Sequence, residues 1–141
     1  SIVSKKPAEN NAPEKYVLVA DTTHALEDLG RYRRAQLKGK IIGLTGSVGK
    51  TSAKEMLKII LEDQGKTDAT SGNLNNHFGV PLTLANFSRD LDYAVVEMGM
   101  NHAGEISKLT KIARPHVVLI TTVEAVHLEF FYSVEGIAYA K

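Results

Sequence analysis

The chain has 141 residues, 43% apolar and 23% charged, which suits one globular domain with a buried core. Seventeen basic and sixteen acidic side chains leave a formal charge of +1, which excludes the strong field of a nucleic-acid or anionic-membrane binder. With no cysteine there is no disulfide framework or thiolate metal site, and no apolar run nears the roughly 18 residues of a membrane-spanning helix.

Residues 1–15 are polar and rich in Pro, Asn and Lys, and they read as a loop or tail without the apolar stretch of a signal peptide. Residues 16–20 form a short strand-like run. Asp21 or Thr22 can cap a following helix that places Ala25, Leu29 and Tyr32 on one face. Arg31, Arg33, Arg34, Lys38 and Lys40 close that helix, either as cations favoured by its C-terminal dipole or as a phosphate or nucleic-acid patch.

From residue 40 the pattern becomes β-α-β. Residues 40–45 read as a buried strand, 46–49 as a Gly-rich turn, and 50–64 as a helix with Ala53, Met56, Leu57 and Ile60 as its apolar stripe, ended by Gly65. A short strand over 66–71 and a polar loop over 72–79 follow. Pro81 can start a helix over 82–87. A strand over 93–97, a helix over 104–113 and a strand over 117–122 complete the alternation, with Met98 and Met100 as packing residues. Alternating strands and helices predict an α/β fold, a mostly parallel sheet with flanking helices and right-handed crossovers, and the Gly-rich turn between a strand and a helix makes it of the phosphate-loop NTPase type. The first residue is Ser1 rather than Met, and the helix predicted over 133–141 lacks a Gly or Pro stop, so the chain is expected to be part of a longer protein.

The strongest chemical signal is Gly43-Leu-Thr-Gly-Ser-Val-Gly-Lys-Thr51, lying between a strand and a helix. There the backbone N–H groups of Thr45, Gly46, Ser47, Val48, Gly49, Lys50, Thr51 and Ser52 can surround phosphate oxygens, aided by the helix N-terminus. Lys50 supplies a full charge to the β/γ-phosphates, and the Thr51 hydroxyl can ligate Mg²⁺. The strict loop pattern wants glycine where Leu44 stands, so this is a variant. Glu97 ends an apolar strand at the carboxyl edge of the sheet, where it can hold Mg²⁺ or be a surface acid. His127 follows the last strand and can ligate a metal or phosphate, or be a hydrogen-bonded loop histidine. Asn73, Asn75, Asn76 and His77 offer amides and an imidazole for orienting a phosphate or carboxylate, or simply shape turns. Asn101 and His102 suit capping and loop roles. No Asn/Thr-Lys-x-Asp, His-Arg-Asp, Asp-Phe-Gly or Gly-x-Ser-x-Gly motif is present, which argues against a GTPase, a protein kinase and a nucleophile-elbow hydrolase.

Taken in order, residues 43–52, then Ser-Gly-Asn-Leu-Asn-Asn-His-Phe-Gly-Val-Pro-Leu-Thr83, then Val-Val-Glu-Met-Gly-Met-Asn-His-Ala-Gly-Glu105, Arg-Pro-His116 and Ala-Val-His-Leu-Glu129, resemble the Mur ligases over residues 16–141. The resemblance is strongest to the branch that joins D-Ala-D-Ala to UDP-N-acetylmuramoyl-tripeptide in bacterial peptidoglycan synthesis. It implies three domains. Residues 16–37 would end the N-terminal UDP-sugar-binding domain with a linker helix, and 38–141 would form part of the central ATP-binding domain. It further implies a cytoplasmic, monomeric enzyme that uses ATP and Mg²⁺ and binds no nucleic acid or membrane. In the family mechanism a substrate carboxylate attacks the ATP γ-phosphate, ADP leaves, and an amine displaces phosphate from the acyl phosphate.

Carried over residue by residue, Lys50 and its loop would hold the phosphates, and Thr51 and Glu97 would serve a first Mg²⁺. His127 matches a histidine at a second metal, and Lys141 matches a lysine that the family carbamylates into a metal-orienting carboxylate. Asn73, Asn75 and Asn76 would lie by the phosphates or the acyl end. Phe130-Phe-Tyr132 stands where the family often has Gly-Phe-Gly, and Ala103 where Pro is common; both bear on loop shape. A folate polyglutamate ligase shares this fold and mechanism, and a nucleotide-binding module without ligase activity is the rival of another class. The 141 residues alone are expected not to turn over, since the amine-binding domain of the family is not among them.

Overall fold

The structure is a computed structural model that describes residues 1–5, 16–125, 131 and 133–141. Its centre is a four-stranded parallel sheet built from β3 (Lys40–Thr45), β4 (Thr67–Ala69), β5 (Tyr93–Glu97) and β6 (Val117–Ile120) in the order β4-β5-β3-β6. A smaller parallel pair joins β1 (Ile2–Val3) to β2 (Val17–Leu18). The helices are α1 (Thr22–Gln36), α2 (Lys50–Glu62), α3 (Gly79–Asn86), α4 (Glu105–Ala113) and α5 (Val134–Ala140). The α/β class and parallel pairing expected from the alternation are therefore present.

Right-handed crossovers put α2 on one face of the sheet, and α3 and α4 together on the other with α1 packed over them. The core lies on that second side, among Ile41, Val80, Leu84, Val96, Met98, Leu109 and Ile112. Met98 and Met100 are buried there, as expected of packing residues.

Three local expectations are corrected. Residues 1–15 do not begin as loop: Ile2 and Val3 pair with Val17 and Leu18, because two β-branched residues find a partner strand too distant in sequence for a local pattern to reveal. In α2, Met56 and Ile60 are more than 60% exposed, and the inner face carries Ala53, Lys54, Leu57 and Leu61. Apolar side chains sit on several faces of this helix, and its rotation is set by the phosphate loop that starts it. In α1, Leu29 and Tyr32 are exposed, and Gly30 and Arg34 point inward. A Cβ on Gly30 would stand 2.9 Å from Pro81 Cα, so the missing side chain lets α1 approach α3.

The helix termini follow ordinary capping chemistry. Asp21, rather than Thr22, caps α1 by accepting the His24 N–H at 2.8 Å. That backbone N–H holds the Asp21 carboxyl below its usual range. Ser133 caps α5 through the Gly136 N–H at 3.1 Å. Within the basic cluster, Arg31 pairs with Glu27 and Asp28, and Arg34 takes neither expected role. Its guanidinium donates to Ala113 O at 2.5 Å and Arg114 O at 2.6 Å, so it caps the C-terminus of α4, a different helix.

Candidate nucleotide and cation site

The loop between β3 and α2 has the backbone that a phosphate cradle requires. Gly49 adopts φ 77°, a conformation L side chains rarely take. A Cβ on Gly46 would lie 1.9 Å from Thr121 Oγ1, so only glycine fits there. The loop is also tied to the segment after β6. Ser47 N–H donates to Thr122 O at 2.9 Å, Glu124 N–H donates to Ser47 Oγ at 2.9 Å, and Thr121 Oγ1 donates to Val48 O at 2.6 Å. Residues 121–124 were not singled out by sequence, because nothing local marks a hydrogen bond spanning more than seventy residues.

Lys50 Nζ reaches back over the loop to Gly46 O at 2.8 Å and Ser47 O at 3.3 Å. Thr45 is buried, and its Oγ1 has no hydrogen-bond partner among the described residues. Val48, Gly49, Thr51 and Ser52 are exposed at the mouth, where a bound group can reach them.

Glu97 meets this loop because of strand register. It pairs with Leu44 across the parallel β3–β5 ladder, next to Thr45. It is 1% exposed. Its backbone N–H donates to Thr70 Oγ1 at 2.9 Å. Its side-chain Oε2 accepts from Thr51 Oγ1 at 3.4 Å, and Oε1 accepts from Asn75 Nδ2 at 2.8 Å. No Lys, Arg or His pairs with it among the described residues. A buried carboxylate facing a hydroxyl, with no cationic side chain on it, fits a hard divalent cation that takes one protein acid, one hydroxyl and further oxygens from ligand and water. No group of three or more His, Asp or Glu with metal-holding geometry occurs among the described residues, as suits such a sparse donor set.

The loop 72–79 divides its roles. Asn75 touches Glu97, whereas the Asn76 oxygen accepts from Phe78 and Gly79 N–H at 3.1 and 2.8 Å at the start of α3. Asn73 is exposed and lines, with Asn75 and Asn76, a cleft of about 280 Å³. A larger cleft of about 490 Å³ adjoins it past Gly99 and is bordered by His77, His102 and Lys108. Lys54 carries no sequence motif that marks it. It lies fully buried on α2, one turn after the loop, with Nζ 3.2 Å from Gly72 O and 3.0 Å from Glu55 Oε1. It thereby ties the asparagine loop to α2.

Asn101 and His102 do take loop roles. Their N–H groups donate to Glu105 Oε2 at 2.7 and 3.2 Å, and the His102 ring lies 3.2 Å from Oε1. Burial pushes the Glu105 carboxyl up, and these N–H contacts outweigh it, so the group titrates below its usual range. Lys141, at the end of α5, is half-buried, and burial together with the Lys50 charge lowers its amine to about 8. The second of these causes, the Lys50 charge, acts from the phosphate-loop end of the sheet. His127 lies outside the described residues.

A phosphate loop opening α2, with a buried acid beside it on the neighbouring strand, defines a phosphate-loop nucleotide-binding domain. Residues 44–141 match the Mur ligase middle domain, and the chain belongs to the Mur ligase family. It is 44% identical to the UDP-N-acetylmuramoyl-tripeptide–D-alanyl-D-alanine ligase of Rickettsia prowazekii and 42% identical to that of Escherichia coli. Each alignment covers all of this chain and 31% of the relative, so the chain spans about a third of their length. Among solved structures, MurF from Acinetobacter baumannii superposes with a TM-score of 0.89 at 45% identity, over 99% of this chain and 30% of that one. MurF from Thermotoga maritima in complex with ADP gives 0.84 at 34% identity, over 99% and 32%. No helix among the described residues is long and apolar enough to cross a membrane.

Proposed function

We propose that the chain is the phosphate-binding part of an ATP-dependent amide ligase that joins D-Ala-D-Ala to UDP-N-acetylmuramoyl-tripeptide through an acyl phosphate. The observation that carries this is the convergence of Lys50, Thr51 and the buried Glu97 at one sheet edge. The substrates come from the names of the relatives, and the nucleotide is supported by the ADP complex of the Thermotoga protein. On this reading residues 16–37 end the N-terminal domain and 38–141 belong to the central one, in a monomeric bacterial cytoplasmic enzyme.

The loop N–H groups and Lys50 bind the β- and γ-phosphates, Lys50 leaving Gly46 O and Ser47 O to do so. Thr51 and Glu97 hold the first Mg²⁺, which when bound supplies charge neutralisation between an anionic carboxylate and an anionic triphosphate. The substrate carboxylate attacks the γ-phosphorus and ADP leaves. The incoming amine then attacks the carbonyl carbon, phosphate leaves, and the amine gives up a proton. Most of the catalysis is positioning and charge compensation. Lys141 can be carbamylated only as a neutral amine, and its lowered pKa favours that form. His127 is assigned to a second metal by resemblance, and Asn73 and Asn76 to the phosphates or the acyl end.

Calorimetric titration of the chain with Mg²⁺–ATP and Mg²⁺–GTP, with Lys50→Ala as control, tests the nucleotide half. ATP binding that is lost in the variant is the expected result, and equal binding by the variant overturns it. Ligation of D-Ala-D-Ala by the full-length enzyme, against glutamate addition to a folate, tests the substrate half. The 141 residues alone are expected to bind without ligating.

A further inference from the structure

We infer that Asn75 is a positioning residue that fixes the Glu97 carboxylate for the divalent cation of the bound nucleotide. The inference rests on the proposed role of Glu97 as a cation ligand. Glu97 offers two oxygens. Asn75 Nδ2 occupies Oε1 at 2.8 Å, and Oε2 is left toward the Thr51 hydroxyl. This arrangement presents one carboxylate oxygen to a cation, the mode a small octahedral ion prefers. The donor is a neutral amide, so it orients the carboxylate without cancelling the charge that attracts the cation. A lysine in its place would compete with the cation, and an aspartate would repel Glu97.

Asn75 is itself held. Its N–H donates to Asn73 O at 2.7 Å, and its carbonyl accepts the Gly99 N–H at 2.8 Å. Its amide lies across Gly99, where a Cβ would stand 2.9 Å from Oδ1 and 3.2 Å from Nδ2. Gly99 is two residues beyond Glu97, so Asn75 grips the strand end on both sides of Met98. The opposite amide orientation would set Oδ1 against a carboxylate oxygen, which the chemistry forbids. Groups that orient a metal ligand commonly change metal affinity by about 10–100-fold when removed.

The test compares ATP affinity in EDTA with that in Mg²⁺, using the intact natural protein and its Asn75→Ala, Gly99→Ala and Glu97→Gln variants. The Mg²⁺-dependent gain in affinity is the readout. Asn75→Ala is expected to cut that gain about tenfold or more, leaving ATP affinity in EDTA unchanged. Gly99→Ala, which pushes the amide aside and leaves Asn75 in the sequence, is expected to do the same and serves if Asn75→Ala does not fold. A gain that survives in both variants yet is lost in Glu97→Gln overturns the role of Asn75 and keeps that of Glu97. A gain that survives in Glu97→Gln overturns the Glu97 reading itself. A loss of affinity in EDTA equal to that in Mg²⁺ shows a merely structural loop contact and also overturns the inference.

Discussion

Glu97 stands opposite Leu44 in the β3–β5 ladder, and the Met98 N–H donates to Leu44 O at 2.7 Å, so the register that builds the sheet also delivers the acid to the phosphate loop. Glu97 is buried with no cationic side chain on it among the described residues, a state that costs stability until a cation binds. Glu97→Gln keeps the shape, lets Asn75 donate to the amide oxygen and gives Thr51 a donor. It is expected to stabilise the ligand-free protein by about 1–2 kcal/mol while abolishing the Mg²⁺-dependent gain in ATP affinity. Thermal unfolding in EDTA checks the first part; a lower midpoint in the variant refutes it.

Lys50 is the only charged side chain of the loop, and it rests 2.8 Å from Gly46 O. A charge-assisted hydrogen bond to phosphate contributes about 1.5–3 kcal/mol. Lys50→Ala is therefore expected to weaken ATP about 10–100-fold in EDTA as well as in Mg²⁺, unlike the Asn75 and Glu97 variants. Calorimetry in both buffers separates the two behaviours.

Legibility in the sequence followed the range of the interaction. The phosphate loop was readable because a glycine-rich turn, Lys50 and Thr51 act through neighbours within one helical turn. Strand β5 was readable from its apolar run, and Glu97 from its place at the end of that run. The inward face of α2 was not readable: Ala53, Met56, Leu57, Ile59, Ile60 and Leu61 leave several apolar faces, and only the loop geometry chooses among them. The inward face of α1 was hidden for the opposite reason, since it is formed by a glycine and an arginine. Among the three asparagines the sequence offers equals, and only the approach to Gly99 and Glu97 in the folded chain distinguishes Asn75 from Asn76.

Arg34 joins α1 to the end of α4 by two hydrogen bonds to carbonyls of Ala113 and Arg114. Arg34→Ala takes the donor from the buried Ala113 carbonyl and from the part-buried Arg114 carbonyl, and is expected to cost about 1–3 kcal/mol. Arg34→Lys recovers only part, because an ammonium lacks the planar fork that spans two acceptors. Denaturant unfolding of both variants checks the order; ATP affinity should stay unchanged, since Arg34 lies away from the phosphate loop.

Gly30 sits where α1 crosses α3, with a would-be Cβ 2.9 Å from Pro81 Cα and 3.0 Å from Pro81 O. Both are backbone atoms, so neither can swing aside. Gly30→Ala is expected to destabilise by about 1–3 kcal/mol through overpacking, despite the higher helix propensity of alanine. A stabilised variant in urea unfolding would show that the helices separate freely.

Lys141 carries the clearest pH signature. Burial, then the Lys50 charge, lowers its amine from 10.5 to about 8 in the folded protein. Below pH 8 the amine is charged in both folded and unfolded chains, and the fold bears the full penalty of holding that charge. Between pH 8 and 10.5 the unfolded chain binds more protons, so stability rises with pH, and above 10.5 the penalty is gone. Lys141→Met is therefore expected to stabilise the protein at pH 7 and to be nearly neutral above pH 10.5. The same shift leaves far more neutral amine near pH 8 than an ordinary lysine has. Lys141 should react with an amine-specific reagent with a midpoint near pH 8, read by peptide mass spectrometry, and Lys50→Ala should move that midpoint upward by removing the repelling charge. A midpoint shared with the exposed Lys38 and Lys40 would show that the Lys50 charge does not act on Lys141.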